Sequence, residues 1–246
     1  MIPVGVGKWF KQYRESYTWP DGRTRQDSEK CIDSLLGDTR SAMDNGDAAS
    51  LQQSLMNIHS WKNNNMRGIT SKYWRELEAQ GYDYVQNLLG MSTFNNTNRL
   101  EDVVNHLKIR QCNLPTCTAI ASFMYGRVHV PVVDKFVAQF FARKFNRYDL
   151  DANTTSVLQW IRNIPFRIEE GGSGRLRLAV FNNSGYQTNL RLYIQELIPE
   201  CARIADALNL AGYTYTAIDG SERQYAPVDV EMAIFSWSSR NRHLFG

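Results

Sequence analysis

The chain has 246 residues, of which 43% are hydrophobic and 22% charged, so it can bury a sizeable core as one bilobal domain or two small ones. This balance excludes disordered and fibrous classes, and a formal net charge of +3 is too small to name a partner by itself. No run of about 18 uninterrupted apolar residues exists and the opening MIPVGVGKWFKQY holds no sustained apolar stretch, so neither a membrane span nor a signal peptide is expected.

In chain order, residues 1–27 are aromatic, basic and turn-rich and read as an irregular arm. Residues 28–60 show helical patterning broken at Asp44-Asn45-Gly46-Asp47, after which Leu51, Leu55 and Ile58 recur at helical spacing. Asn63-Asn64-Asn65 is a loop, and residues 71–90 read as two short helices separated by Gly81. Asn95-Asn96-Thr97-Asn98 is a second polar loop. Asn98 and Glu101 have the spacing of a capping box, ahead of the stripe Leu100, Val103, Val104, Leu107. Gln111-Cys112-Asn113 breaks the pattern, and Asn113 suits a left-handed or N-cap position. Pro115 fits the first turn of a helix carrying Ala119, Ile120, Phe123 and Met124, which stops at Gly126.

Beyond Pro131, Asp134 stands where an N-cap would, before Phe136, Val137, Phe140 and Phe141. Val157, Leu158 and Ile161 mark another helix. Gly171-Gly172-Ser173-Gly174 reads as a flexible loop, and residues 176–180 suit a short strand or a helix equally. Residues 189–211 are helical in period with Pro199 predicting a kink or break, and Ala226-Pro227-Val228-Asp229 opens a last helix. The sum is an all-α protein.

Charge is unevenly spread. Between Arg99 and Arg147 lie eight Lys or Arg residues against three acids, so the basic excess concentrates there, as a phosphate-binding surface requires. Cys31, Cys112, Cys117 and Cys201 form no CxxC pair, no zinc-ligand spacing with histidine and no local run for an iron–sulfur cluster. They read as buried free thiols of a reducing compartment, which makes a cytoplasmic location the expectation, nucleoid-associated if the source is prokaryotic.

The run 107-LKIRQCNLPTCTAIASFMYGRVHVPVVDKFV-137 resembles the helix-hairpin-helix region of base-excision DNA glycosylases related to endonuclease III. That family reads Gly-hydrophobic-Gly, then Thr-Ala, then a second helix and a phrase bearing an essential Asp. Here Gln111-Cys112-Asn113 stands at the first element, Thr116-Cys117 at the second and Val133-Asp134-Lys135-Phe136-Val137 at the last, with 18 residues from Thr116 to Asp134. Weaker likenesses lie at 58-IHSWK-62 and 228-VDVEMAIF-235.

The resemblance implies a two-lobed helix-hairpin-helix DNA glycosylase-like fold with a DNA-binding cleft between lobes. Residues 28–133 would form one lobe and 134–246 the other, with the 1–27 arm packing on the second. It implies base excision by a monomer acting on damaged or mismatched duplex DNA, with no membrane partner. The catalytic residue would be Asp134. The DNA contacts would be Lys108, Arg110, Gln111, Cys112, Asn113, Thr116, Lys135, Arg143 and Lys144. No metal is expected beyond a monovalent cation at the hairpin as in relatives. The lyase-active members carry a Lys where this chain has Pro115, so no Schiff base forms there and the expected activity is monofunctional. Lys135, the nearest alternative in sequence, neighbours Asp134 on a helix turn and points elsewhere.

The chemistry suits one carboxylate. Breaking an N-glycosidic bond builds positive charge on the sugar, and a fixed carboxylate stabilises that charge and orients water. The plain alternative for Asp134 is a helix cap. The alternative for the protein is a non-catalytic helix-hairpin-helix DNA-binding protein.

Overall fold

The computed structural model describes residues 2–19, 23–64, 66–91, 98–170, 176–178 and 183–245. In chain order they form α1 (Val6–Glu15), α2 (Arg25–Asp44), α3 (Ala48–Lys62), α4 (Arg67–Gln80), α5 (Tyr82–Met91), α6 (Leu100–His106), α7 (Leu114–Met124), α8 (Lys135–Phe141) and α9 (Ala152–Trp160). An antiparallel ribbon follows, β1 (Ile168–Glu170) with β2 (Leu176–Leu178), then α10 (Asn183–Leu192) and α11 (Ile198–Leu210). A second ribbon, β3 (Tyr215–Thr216) with β4 (Glu222–Arg223), precedes α12 (Pro227–Arg240) and a closing 3-10 turn, Arg242–Phe245. The described residues are thus mainly helical. Among them no helix is long and apolar enough to cross a membrane.

The contacts divide the chain into two units, Met1–Trp19 with Val133–Gly246, and Pro20–Val132. In the second of these, α7 is the centre. Its residues Cys117, Ala119, Ile120, Phe123 and Met124 are all fully buried, and it packs on α2, α3 and α6. A helix apolar all round belongs inside. The breaks around it follow local chemistry. Asp47 accepts from the N–H groups of Ala49 and Ser50 at 3.0 and 3.1 Å to start α3, and Gly81 separates α4 from α5 at φ 77°.

In the first unit α12 is the centre, packed on α1, α8 and α11. Asp229 closes a capping arrangement by accepting from Ala226 N–H at 2.8 Å, while its other oxygen pairs with Arg14 Nε at 2.6 Å. Both side chains of that pair are buried, and the Arg14 guanidinium also lies 4.5 Å from the Tyr215 ring centre. Trp9 completes the junction, donating from Nε1 to Thr154 Oγ1 at 3.0 Å.

Four expectations need correction or completion. Residues 1–27 are not an irregular arm: α1 forms because Val6, Trp9 and Phe10 stand at helical spacing and bury, a period hidden among neighbouring aromatics. The cap of α6 is Arg99 without a side-chain bond, so Asn98 and Glu101 make no capping box there. Residues 176–178 are strand, whereas the glycine-rich 171–174 and most of the 95–98 loop lie outside the described residues. Pro199 directly follows an interruption of the α-helical hydrogen bonding. The chain absorbs its missing N–H through a π turn, Tyr193–Leu197, with Ile198 N–H reaching back five residues to the Tyr193 carbonyl.

Removing one partner of a buried ion pair strands the other charge. Arg14→Leu should therefore cost about 3–5 kcal/mol in urea denaturation. Adding Asp229→Asn, which keeps a capping acceptor and removes the charge, should restore part of that loss.

Candidate functional site

The sequence singles out two features, one in each unit. The first is the turn between α6 and α7. Gln111 has φ 68°, in the left-handed region. The expectation placed Asn113 as the left-handed or capping residue. It caps, with φ −84° and its Oδ1 accepting from Thr116 N–H at 3.3 Å. The left-handed step belongs to Gln111, one of the two positions where the resembled family has glycine. A non-glycine side chain there costs roughly 1–2 kcal/mol and needs support.

The support is His59, which sequence reading left unassigned. It is fully buried on α3, its ring stacked face to face on Tyr73 at 3.9 Å. Its Nε2 donates to the Gln111 carbonyl at 3.1 Å, so the proton sits on Nε2. Nδ1 is buried with no partner, and burial lowers the His59 pKa against the opposing effect of the Gln111 hydrogen bond. A signal existed: His59 lies within the IHSWK phrase on the apolar face marked by Leu51, Leu55 and Ile58.

The remaining turn contacts separate surface from interior. Cys112 and Thr116, expected at DNA, have buried side chains. Thr116 Oγ1 bonds Asn113 Oδ1 at 3.2 Å, and Cys117 donates its thiol hydrogen to the Cys112 carbonyl at 3.3 Å with the two sulfurs 3.4 Å apart. Burial pushes the Cys112 thiol well up, away from a reactive thiolate. Arg110 and Asn113 are exposed and Gln111 and Lys108 half-exposed. The N–H groups of Arg110, Gln111 and Asn113 donate to no described residue, so the turn presents donors. Four of its carbonyls accept hydrogen bonds: Ile109 from Cys112 N–H at 2.9 Å, Gln111 from His59, Cys112 from the Cys117 thiol, and Asn113 from Cys117 N–H at 2.8 Å.

The second feature is Asp134, the N-cap of α8. One oxygen, Oδ1, accepts both cap bonds, from Phe136 N–H at 2.8 Å and Val137 N–H at 2.9 Å, and the residue is 8% exposed. Lys135 beside it is exposed, with Nζ 4.7 Å from the Phe136 ring centre. Lys144 is exposed too. Arg143 is not available to phosphate. Its φ is 57° and its guanidinium donates to the carbonyls of Phe140, Leu158 and Ile161 at 3.1, 2.6 and 3.1 Å, closing the ends of α8 and α9. Burial, with Arg147 nearby, lowers its pKa to about 10. Among aromatic side chains that could stack on an extruded base, Trp61, Tyr73, Tyr125 and Trp237 are buried and Trp74 is half-buried.

No protein-family model matches this chain, no curated protein matches its sequence, and no solved structure matches its fold.

Two outcomes test the turn. Gln111→Gly should hold or raise the melting temperature, whereas Gln111→Ile, branched at a left-handed position, should lower stability by about 1–2 kcal/mol. A His59 pKa below its ordinary 6.5 means the unfolded chain binds the proton first. Stability is complete above that value and declines as pH falls from it toward the lowered folded pKa. Denaturant midpoints across this window should fall for wild type and run flatter for His59→Gln.

Proposed function

We propose that the chain is a monofunctional DNA glycosylase of base-excision repair, with a two-lobed helix-hairpin-helix fold of the endonuclease III kind. The observation that carries this reading is the backbone of Gln111, which adopts the left-handed conformation at a position where the resembled family places glycine. A left-handed step at this position is what glycine would make easy, and here glutamine makes it. The N–H groups of Arg110, Gln111 and Asn113, which donate to no described residue, suit a phosphate together with the Arg110 side chain.

In this reading a base leaves the duplex before reaction. The C1′–N bond breaks, the bonding pair departs with the base, and positive charge develops on the sugar. Asp134 stabilises that charge and accepts a proton from the attacking water, whose oxygen bonds to C1′ and leaves an abasic site. Pro115 offers no amine, so the strand is left uncut. Lys135 and Lys144 meet backbone phosphate. The reaction as drawn uses no cofactor, and the protein acts in the compartment that holds the DNA.

One observation favours a second reading, a DNA-binding protein of the same fold without chemistry. Asp134 is mostly buried and has a complete capping role without any substrate. Both cap bonds converge on Oδ1, which makes the two readings separable. Asparagine caps through the same oxygen and replaces the other with an amide. Asp134→Asn should melt like wild type, bind DNA as tightly, and lose excision by at least about a hundredfold in single-turnover assays on duplexes carrying uracil, 8-oxoguanine, alkylated purines, oxidised pyrimidines or mismatches. Alkali should be needed to reveal the cut. Excision by the mutant at the wild-type rate removes Asp134 from the chemistry, and salt-sensitive binding without excision by wild type selects the second reading.

A further inference from the structure

The closing 3-10 turn meets the start of α8 and the loop that follows it, which are distant from it in sequence. Phe245 is buried, with its ring centre 5.5 Å from Phe136 at the start of α8 and 5.1 Å from Phe145 in the loop after it. Asn146 N–H donates to the Leu244 carbonyl at 2.7 Å. That bond sets the loop residues Lys144, Arg147 and Tyr148 on a segment beside the closing turn, which carries Arg242 and His243, and all of these and Lys135 are exposed. The Arg242 guanidinium lies 5.7 Å from the centre of the same Phe136 ring that Lys135 approaches at 4.7 Å, so two cations share one ring.

Some cations of this unit are paired and others are not. Arg14, Arg162, Arg203 and Arg223 each pair with a carboxylate. Among the described residues no carboxylate pairs with Lys144, Arg147 or Arg242. Of the nearby acids, Asp151 caps α9 through Thr154 and Asp149 is exposed in the loop. The four cations Lys135, Lys144, Arg147 and Arg242 outnumber these two acids, and a polyanion meets that excess while releasing its own counterions. Tyr148 is 97% exposed within the cluster, an aromatic face turned wholly to solvent.

We propose that this cluster is a nucleic-acid-binding ridge: Lys135, Lys144, Arg147 and Arg242 follow the phosphates of one strand and Tyr148 stacks on an unpaired base. The inference rests on the base-excision reading and extends its DNA contacts to Arg147, Tyr148 and Arg242. The chemistry required is a chain of phosphates carrying flat, unstacked rings, which fits a strand opened by loss or extrusion of a base.

The test is equilibrium binding of a labelled duplex carrying a stable abasic analogue, followed from about 50 to 200 mM salt. Replacing Lys135, Lys144, Arg147 and Arg242 together by Ala should reduce the slope of log affinity against log salt by about three to four. A control with equal charge loss, Lys30, Arg67, Lys72 and Arg75 to Ala, should change it by less than about one. Tyr148→Ala should weaken binding of the same probe about tenfold with the slope unchanged. An unchanged slope in the ridge variant, or an equal loss in the control, overturns the ridge while wild-type binding still stands for the broader reading. If wild type binds no DNA at low salt, the base-excision reading falls and the ridge falls with it.

Discussion

The unit that carries Asp134 depends on the buried pair between Arg14 and Asp229. It joins the first helix to the last, 215 residues apart. Two charges leave water there, so the geometry must repay desolvation. It does so by using each group more than once: Asp229 also holds the start of α12, and the Arg14 guanidinium also rests on Tyr215. The same burial and the Asp229 charge push the Tyr215 hydroxyl up to about 12, which keeps it neutral beside the pair. With α12 fixed, the 3-10 turn after it and the start of α8 meet through Phe136 and Phe245. The exposed cations therefore inherit their placement from a contact buried far from them in sequence.

The turn before α7 works on a different principle. Its shape is imposed from behind rather than allowed by its own residues. Glycine would take the left-handed step freely, whereas Gln111 takes it while a buried histidine grips its carbonyl. The hydrogen bond is to the backbone and offsets part of the cost of the left-handed step, and His59 keeps an unpartnered Nδ1 as part of the arrangement. The turn therefore leans on a buried histidine whose pKa is lowered by that burial.

Much of the helical framework was legible because apolar period and punctuation agree. Asp47, Gly81, Pro115, Gly126 and Asp134 each mark a helix boundary for a local reason. What escaped was set by tertiary structure. Nothing local in Gln111 announces a left-handed backbone, since the cause lies 52 residues away in His59. The helix of residues 6–15 escaped because aromatics on every side blurred its stripe. The closing turn escaped because Arg242 and Lys135 become neighbours only through folded aromatic packing.

Counting charge along the sequence fails for a related reason. The eight cations between Arg99 and Arg147 look alike in composition, yet the fold sorts them. Arg127 is 5% exposed and lies over Trp61 and Phe123, with its ring-centre distances at 5.9 and 4.9 Å. Arg143 is spent on three carbonyls. Both have positive φ, so both turn the chain sharply at the end of a helix and fold their long side chains back onto it. Arginine suits that task because its planar fork serves several carbonyls or an aromatic face at once, and it keeps its charge when buried. Lys135, Lys144 and Arg147 have no such duty in the interior and remain in solvent. A basic stretch is therefore evidence of a phosphate surface only after the arginines that close helix ends have been subtracted, and here Lys135, one of the cations that remain, is joined by Arg242 of the chain's last turn over one aromatic ring.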